Sequence, residues 1–226
     1  MSTEKTDGDI LLVHPGEEII DLHYRGLKLL QNPRFFGYSG DAFKLAEYAA
    51  AAQPAAQKVC ELGSGNGGLL LSLWGMLPKA DYTGLEILPA NVDLARRSLL
   101  LNEKLPGLAG HLQFVQGDWR EIGRILPAEN YDLVVSNPPF WPEKSGRLSP
   151  VWERRVARSE MFGGLSDVVA AADHLLQVGG KFCLLLPLER RYEAEYALLN
   201  AGLRVIDTEV WRQRILLTGQ KIKSRK

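Results

Sequence analysis

The residues of this 226-residue chain best suited to chemistry are Asn137-Pro138-Pro139-Phe140. Two prolines fix φ and remove two backbone donors, so the carbonyls around them face a ligand instead of a strand ladder. The Asn137 side-chain oxygen and the Pro138 carbonyl can both accept from one NH2 group. Such a pair orients a planar amine and leaves its lone pair exposed to an electrophile. Phe140 adds a flat face on which a base or an amide stacks. A plain turn also explains Pro-Pro, but hydride transfer has no use for the tetrapeptide.

A second group begins with Glu61-Leu62-Gly63-Ser64-Gly65-Asn66-Gly67-Gly68. Glycines at that spacing let the backbone turn sharply and approach a ligand at a helix N-terminus. The run satisfies both GxGxG and GxGxxG, so a dehydrogenase, a methyltransferase and a structural turn all stay open. Glu86 and Ile87 end the next apolar run, where a carboxylate reaches ribose hydroxyls. A solvated strand-end acid is the plain alternative. Asp118-Trp119 ends the third run; it suits an adenine amine and ring, or else a helix cap and a core indole.

These residues must be placed by an alternation of strands and helices. Short apolar runs at 59–63, 81–87, 112–118, 131–137 and 181–187 predict strands, with helices at 67–77, 90–104, 119–126 and 164–177 between them. That order predicts a parallel sheet covered on both faces, with ligands at the strand ends. Pro89 suits a first helical turn, and Gly179-Gly180 a helix C-cap. After a helix near 189–201, the runs 203–211 and 213–220 leave no room for a crossover and must pair antiparallel. The expectation is an α/β Rossmann-like fold: a seven-stranded, mostly parallel sheet closed by an antiparallel C-terminal hairpin, with helices on both faces. Upstream, 16–28 shows helical spacing, Asn32-Pro33 suggests a hairpin turn, and Ser39 or Asp41 is placed to cap a helix through 42–52.

Composition narrows the classes. The chain is 46% apolar and 24% charged, with 27 basic and 27 acidic residues, a globular balance that excludes wholesale coating of nucleic acid but not a local basic patch. No run approaches a membrane span, and the first fifteen residues lack the apolar run of a secretory signal. Cys60 and Cys183 lie in apolar runs and read as buried free thiols of a cytoplasmic protein. None of His14, His23, His111 and His174 lies in a motif, and no cluster has metal-ligand spacing, so no metal is expected. Residues 1–226 read as one domain, with an N-terminal segment (1–54), a core (55–220) and a basic tail (221–226).

The ordered set ELGSGNG, GLEI, GDW and NPPF resembles the class I S-adenosylmethionine-dependent methyltransferases that alkylate nitrogen. Within them, residues 26–49 and 141–187 are similar to the bacterial enzymes that methylate N6 of adenine 37 in a valine tRNA. The resemblance implies S-adenosyl-L-methionine as cofactor, held by Glu61, Gly63, Ser64, Gly65, Gly67, Glu86, Ile87, Asp118, Trp119 and Asn137, with Asp41 near the entrance. It implies that Asn137, Pro138, Pro139 and Phe140 grip the target amine and that tRNA is the partner. Substrate contacts would come from Phe140, Trp141 and the basic loop residues Lys144, Arg147, Arg154, Arg155 and Arg158, with a second basic stretch at Arg212, Arg214, Lys221, Lys223, Arg225 and Lys226. A flipped adenine and in-line methyl displacement follow, with no dedicated base. Release-factor glutamine-N5 methylation, guanine-N2 methylation of rRNA, DNA adenine methylation and an inactive binding subunit are the alternatives. A monomer is expected.

Overall fold

The computed structural model describes residues 12–35, 37–139 and 163–224. Phe140 and the loop residues Trp141, Lys144, Arg147, Arg154, Arg155 and Arg158 lie outside them, as do Arg225 and Lys226. The chain begins with β1 (Glu18–Asp21) and β2 (Lys28–Gln31), followed by α1 (Gly40–Ala52). Then come β3 (Lys58–Leu62), α2 (Gly68–Met76), β4 (Asp81–Glu86), α3 (Pro89–Asn102) and β5 (Leu112–Gln116). A 3-10 turn (Trp119–Glu121) leads into the short α4 (Ile122–Ile125) and β6 (Tyr131–Ser136). The remainder is α5 (Leu165–Leu175), β7 (Leu176–Pro187), α6 (Arg191–Asn200), β8 (Leu203–Trp211) and β9 (Arg214–Lys221).

The main sheet has seven strands in the order β5-β4-β3-β6-β7-β9-β8. Strands β3 to β7 pair parallel, while β9 pairs antiparallel with both β7 and β8. This is the expected α/β Rossmann-like sheet with its antiparallel C-terminal hairpin. Strand residues alternate between two apolar layers, as the twofold repeat of a strand requires. Val59, Leu133, Val135, Cys183 and Leu216 pack with α1, α2 and α3. Cys60, Leu62, Val134, Phe182, Leu184 and Leu217 pack with α5 and α6 on the other face.

Three local expectations differ from what is found. Residues 16–28 are not helical; β1 leaves a turn in which His23, Arg25 and Gly26 take positive φ (54°, 53° and 72°), which no helix accommodates. Asn32-Pro33 does not turn a hairpin forward into Phe35–Tyr38. Instead β2 pairs back onto β1, with Glu18 opposite Gln31 and Asp21 opposite Lys28. Gly179-Gly180 does not cap a helix: α5 ends at Leu175, and Gly179, at φ +86°, lies inside β7 where its pairing with β6 shifts register. Pro89 does sit in the first turn of α3. Ser39 occupies the N-cap position of α1, yet neither its hydroxyl nor any other side chain caps it; the Ala42 and Phe43 amides donate to the Ser39 carbonyl.

The β1–β2 hairpin is fastened to α3 through polar side chains buried on the helix. Ser98 Oγ accepts from Leu30 N at 2.9 Å, and Asn102 exchanges bonds with the Lys28 amide and carbonyl at 2.8 and 2.7 Å. Arg97 binds Glu17 with both terminal nitrogens, at 2.6 and 2.8 Å, and also the Leu12 carbonyl. Among the described residues no helix is long and apolar enough to cross a membrane.

Candidate active site

The ends of β3, β4, β5 and β6 open onto one cavity. β3 is flanked by β4 on one side and β6 on the other, so the chain order reverses there, the position at which open α/β sheets bind ligands.

The loop after β3 forms the floor. Gly63, Gly65 and Gly67 alternate through positive φ at 78°, 53° and 87°, so the chain doubles back before α2 starts. At Gly67 there is no room for a side chain either: a Cβ would sit 2.7 Å from Phe114 Cζ. The Gly63 and Ser64 amides donate to the Leu85 carbonyl, and Gly65 N donates to Glu86 Oε2 at 2.8 Å. Glu86 Oε1 accepts from Leu88 N at 2.8 Å. Burial raises the Glu86 carboxyl above the usual carboxylate range, and the bonds from Leu88 and Gly65 oppose that rise.

Glu61 and Asn137 stand on neighbouring strand ends, and Ser136 Oγ donates to the Leu62 carbonyl at 2.7 Å to hold those ends together. Trp119 lies across the floor, with its Cζ3 3.2 Å from where a Cβ on Gly63 would be. A Cβ on Gly163 would sit 2.7 Å from the Trp119 indole nitrogen. Asp118 accepts from the Arg120 amide and guanidinium, so the cap reading of this residue is realised at the cavity wall. Burial works to raise the Asp118 carboxyl, and Arg120 outweighs it and holds it low.

Among the sequence-derived candidates, Glu61, Gly63, Ser64, Gly65, Glu86, Ile87, Asp118, Trp119, Asn137 and Pro139 line the cavity. Gly67, Pro138 and Asp41 do not. Gly67 shapes the loop from behind, and the Asp41 carboxylate is held by Arg214 Nε at 2.9 Å. Sequence reasoning missed Gly37, Tyr38, Ser39 and Ala42, which roof the site, and Asn91 of α3. Tyr38 is positioned by its amide on Gln31 Oε1 and its hydroxyl on Ser72 Oγ. The available signal was Gly-Tyr-Ser-Gly directly before a helix, a stretch too small and aperiodic for core.

The expected basic tail is reshaped by the fold. Lys221 is the last residue of β9, its side chain 2% exposed and bound to Glu129, to Asp173 and to the Asp173 carbonyl. The Arg212 guanidinium lies 4.5 Å over the Trp211 ring.

Four polar atoms of the cavity lining are buried without a hydrogen-bond partner among the described residues: Glu61 Oε2, Ser64 Oγ, Trp119 Nε1 and Asn137 Oδ1. Buried polar groups are otherwise nearly always paired, so the set marks where a polar ligand is best received. It needs donors for Glu61 and Asn137 and an acceptor for the indole N–H.

A family model described as a methyltransferase domain matches residues 54–188. The chain is 30% identical over 169 residues to the tRNA1(Val) (adenine(37)-N6)-methyltransferase of Porphyromonas gingivalis, covering 72% of this chain and 63% of that protein. It is 28% identical to the release factor glutamine methyltransferase of Aliivibrio fischeri, covering 58% of this chain and 43% of that one. The chain thus spans less than two thirds of the length of these curated relatives. In fold it resembles the 16S rRNA N2 methyltransferase RsmC of Thermus thermophilus, solved with AdoMet and guanosine, at TM-score 0.66 and 21% identity over 92% of this chain and 51% of that one.

Proposed function

The chain belongs to the S-adenosylmethionine-dependent methyltransferase-domain family, and from that premise we propose that it methylates an exocyclic NH2 group, the N6 amine of an adenine in tRNA. The observation that carries the reading is Asn137 Oδ1: a buried acceptor with no partner among the described residues, on the cavity wall beside the glycine loop. The P. gingivalis and A. fischeri relatives are named for an adenine N6 and a glutamine, both of which present a planar NH2.

The cavity fits the cofactor. S-adenosylmethionine, when bound, supplies a methyl group on cationic sulfur that an amine nitrogen can displace in line. Glu86 and Ile87 would take its ribose, and Asp118 with Trp119 its adenine. Glu61, Ser64 and the Gly63–Gly65 backbone would take its amino-acid end. Trp119 Nε1, Ser64 Oγ and Glu61 Oε2 then gain the partners they lack.

The chain's own work is positioning and exclusion of water. Asn137 accepts from the amine, fixing its plane and aiming the nitrogen lone pair away from the carboxamide. Pro139 continues the wall, while Tyr38 and Ser39 roof the cavity from the segment before α1. No side-chain base is required, because the alkylated nitrogen is a strong acid and loses its proton to water or to the carbonyl it already faces. Consistent with this, none of the four histidines lines the cavity.

Transfer of labelled methyl from S-adenosylmethionine to unmodified tRNA, followed by nucleoside analysis, tests the reading. Label in N6-methyladenine is the expected result. Label absent from RNA but present in release-factor glutamine would replace it with the second reading, which the relatives named for that activity favour.

A further inference from the structure

Two carboxyl groups from adjacent strand ends share the cavity, Glu61 from β3 and Glu86 from β4, and they are 3% and 6% exposed. Their situations differ. Glu86 has a backbone N–H on each oxygen. Glu61 has one oxygen without any partner among the described residues. The groups that bear on Glu61 are Glu86 from β4, the Leu70 amide from the first turn of α2, Tyr38 from the segment before α1 and Cys60 on its own strand, while β6, paired beside it, brings the uncharged Ser136 and Asn137. None of these is a cation. Two buried acids in one cavity resist being ionised together, which favours the proton staying on one of them.

We propose that Glu61 is the neutral acid in the cofactor-free protein and releases its proton to solvent when the ammonium of the cofactor's amino-acid end replaces that proton. The exchange balances: a carboxylic acid and an ammonium ion become a carboxylate–ammonium pair and one proton in bulk water. Glu61 then favours ligands with a cationic amino-acid end, and does so more strongly as pH rises. Burial, with Glu86 second, pushes the Glu61 carboxyl well above its ordinary range, the direction that this exchange requires. The inference rests on S-adenosylmethionine entering this cavity, and is independent of which NH2 group is methylated.

Calorimetric titration of the intact protein near pH 6, in buffers of different ionisation enthalpy, counts the protons. A free glutamate is already ionised at that pH, whereas the ligand ammonium is still protonated. S-adenosylmethionine and S-adenosylhomocysteine should each release about one proton, and their affinities should rise toward about tenfold per pH unit. Methylthioadenosine, which lacks the amino-acid end, should release none. Glu61→Gln should bind S-adenosylmethionine about 10- to 100-fold more weakly with no proton release.

Binding without proton release by the unmodified protein overturns the proposal, and so does equal release with methylthioadenosine. Undiminished release by Glu61→Gln overturns it as well, by moving the proton to Glu86 or another group. Absence of any binding of S-adenosylmethionine is a different failure, which removes the cofactor from this cavity altogether.

Discussion

Asn137 owes its place to the residue before it. Ser136 is fully buried and spends its hydroxyl on the Leu62 carbonyl, so the end of β6 cannot drift from the loop that follows β3. The Asn137 oxygen therefore points at a fixed spot beside the glycine loop. Replacing Asn137 with alanine should lower methyl transfer by about a hundredfold or more while S-adenosylmethionine affinity changes by less than about threefold. Parallel transfer and binding measurements check this, and equal loss in both would assign Asn137 to the cofactor instead. Gly67 carries the opposite kind of constraint. A Cβ there meets Phe114 at 2.7 Å and Ala95 at 3.2 Å, at a φ of +87°. Gly67→Ala should cost about 2–4 kcal/mol of stability, read as a lower urea midpoint.

At the scale of elements, the β1–β2 hairpin exists because α3 completes it. Arg97, with its side chain 10% exposed, joins Glu17 on the hairpin side to Asp93 one turn earlier on its own helix. Removing the cation strands a carboxylate that is 7% exposed, so Arg97→Met should destabilise the protein by about 3–5 kcal/mol in chemical denaturation. The Glu17 carboxyl is held below its ordinary range, chiefly by its hydrogen bond to Arg97 against the opposing effect of burial. Its contribution to stability is complete above the ordinary glutamate pKa and disappears as pH falls through the lowered value. The acid limb of the stability curve below about pH 4 should accordingly be steeper in the unmodified protein than in Arg97→Met.

This hairpin also shows what the chain alone conceals. Strands β3 to β7 are legible because each is a short apolar run bounded by glycine, aspartate or asparagine, and their ends carry Glu61, Glu86, Asp118 and Asn137 directly to the cavity. The four-residue β1 and β2 have no such signature; their partners on α3 are 68 to 74 residues away, so nothing local distinguishes them from a helix. The cavity roof is hidden for the same reason. Tyr38 reaches it through Gln31 and Ser72, contacts that exist only once the hairpin and α2 have met. The resemblance implies Asp41 near the cavity entrance, and the fold brings Arg214 to its carboxylate from the far end of the sequence.

Taken whole, the molecule is a sheet sealed on both faces, and its two cysteines report on that seal. Cys60 faces one apolar layer and Cys183 the other, both without exposed surface. Burial pushes the Cys183 thiol up to about 12, and Cys60 is raised by the same cause with Glu61 adding to it. Neither should react with a disulfide reagent at neutral pH while the protein is folded. Both should react together at the denaturant concentration where the circular dichroism signal is lost, and earlier labelling of one would show that the two layers open separately.

The position of β9 has a temporal meaning. It is made after β8 yet lies between β7 and β8, bonded along its length to both. During synthesis, therefore, β8 emerges from the ribosome with no neighbour in the sheet, and the exposed flank of β7 stays open beside it. Both wait for residues 214–221, a segment that includes the apolar run Ile215, Leu216 and Leu217. A nascent chain stalled before that point carries two strands with unpaired edges, the state most open to capture by chaperones or by another unfinished chain.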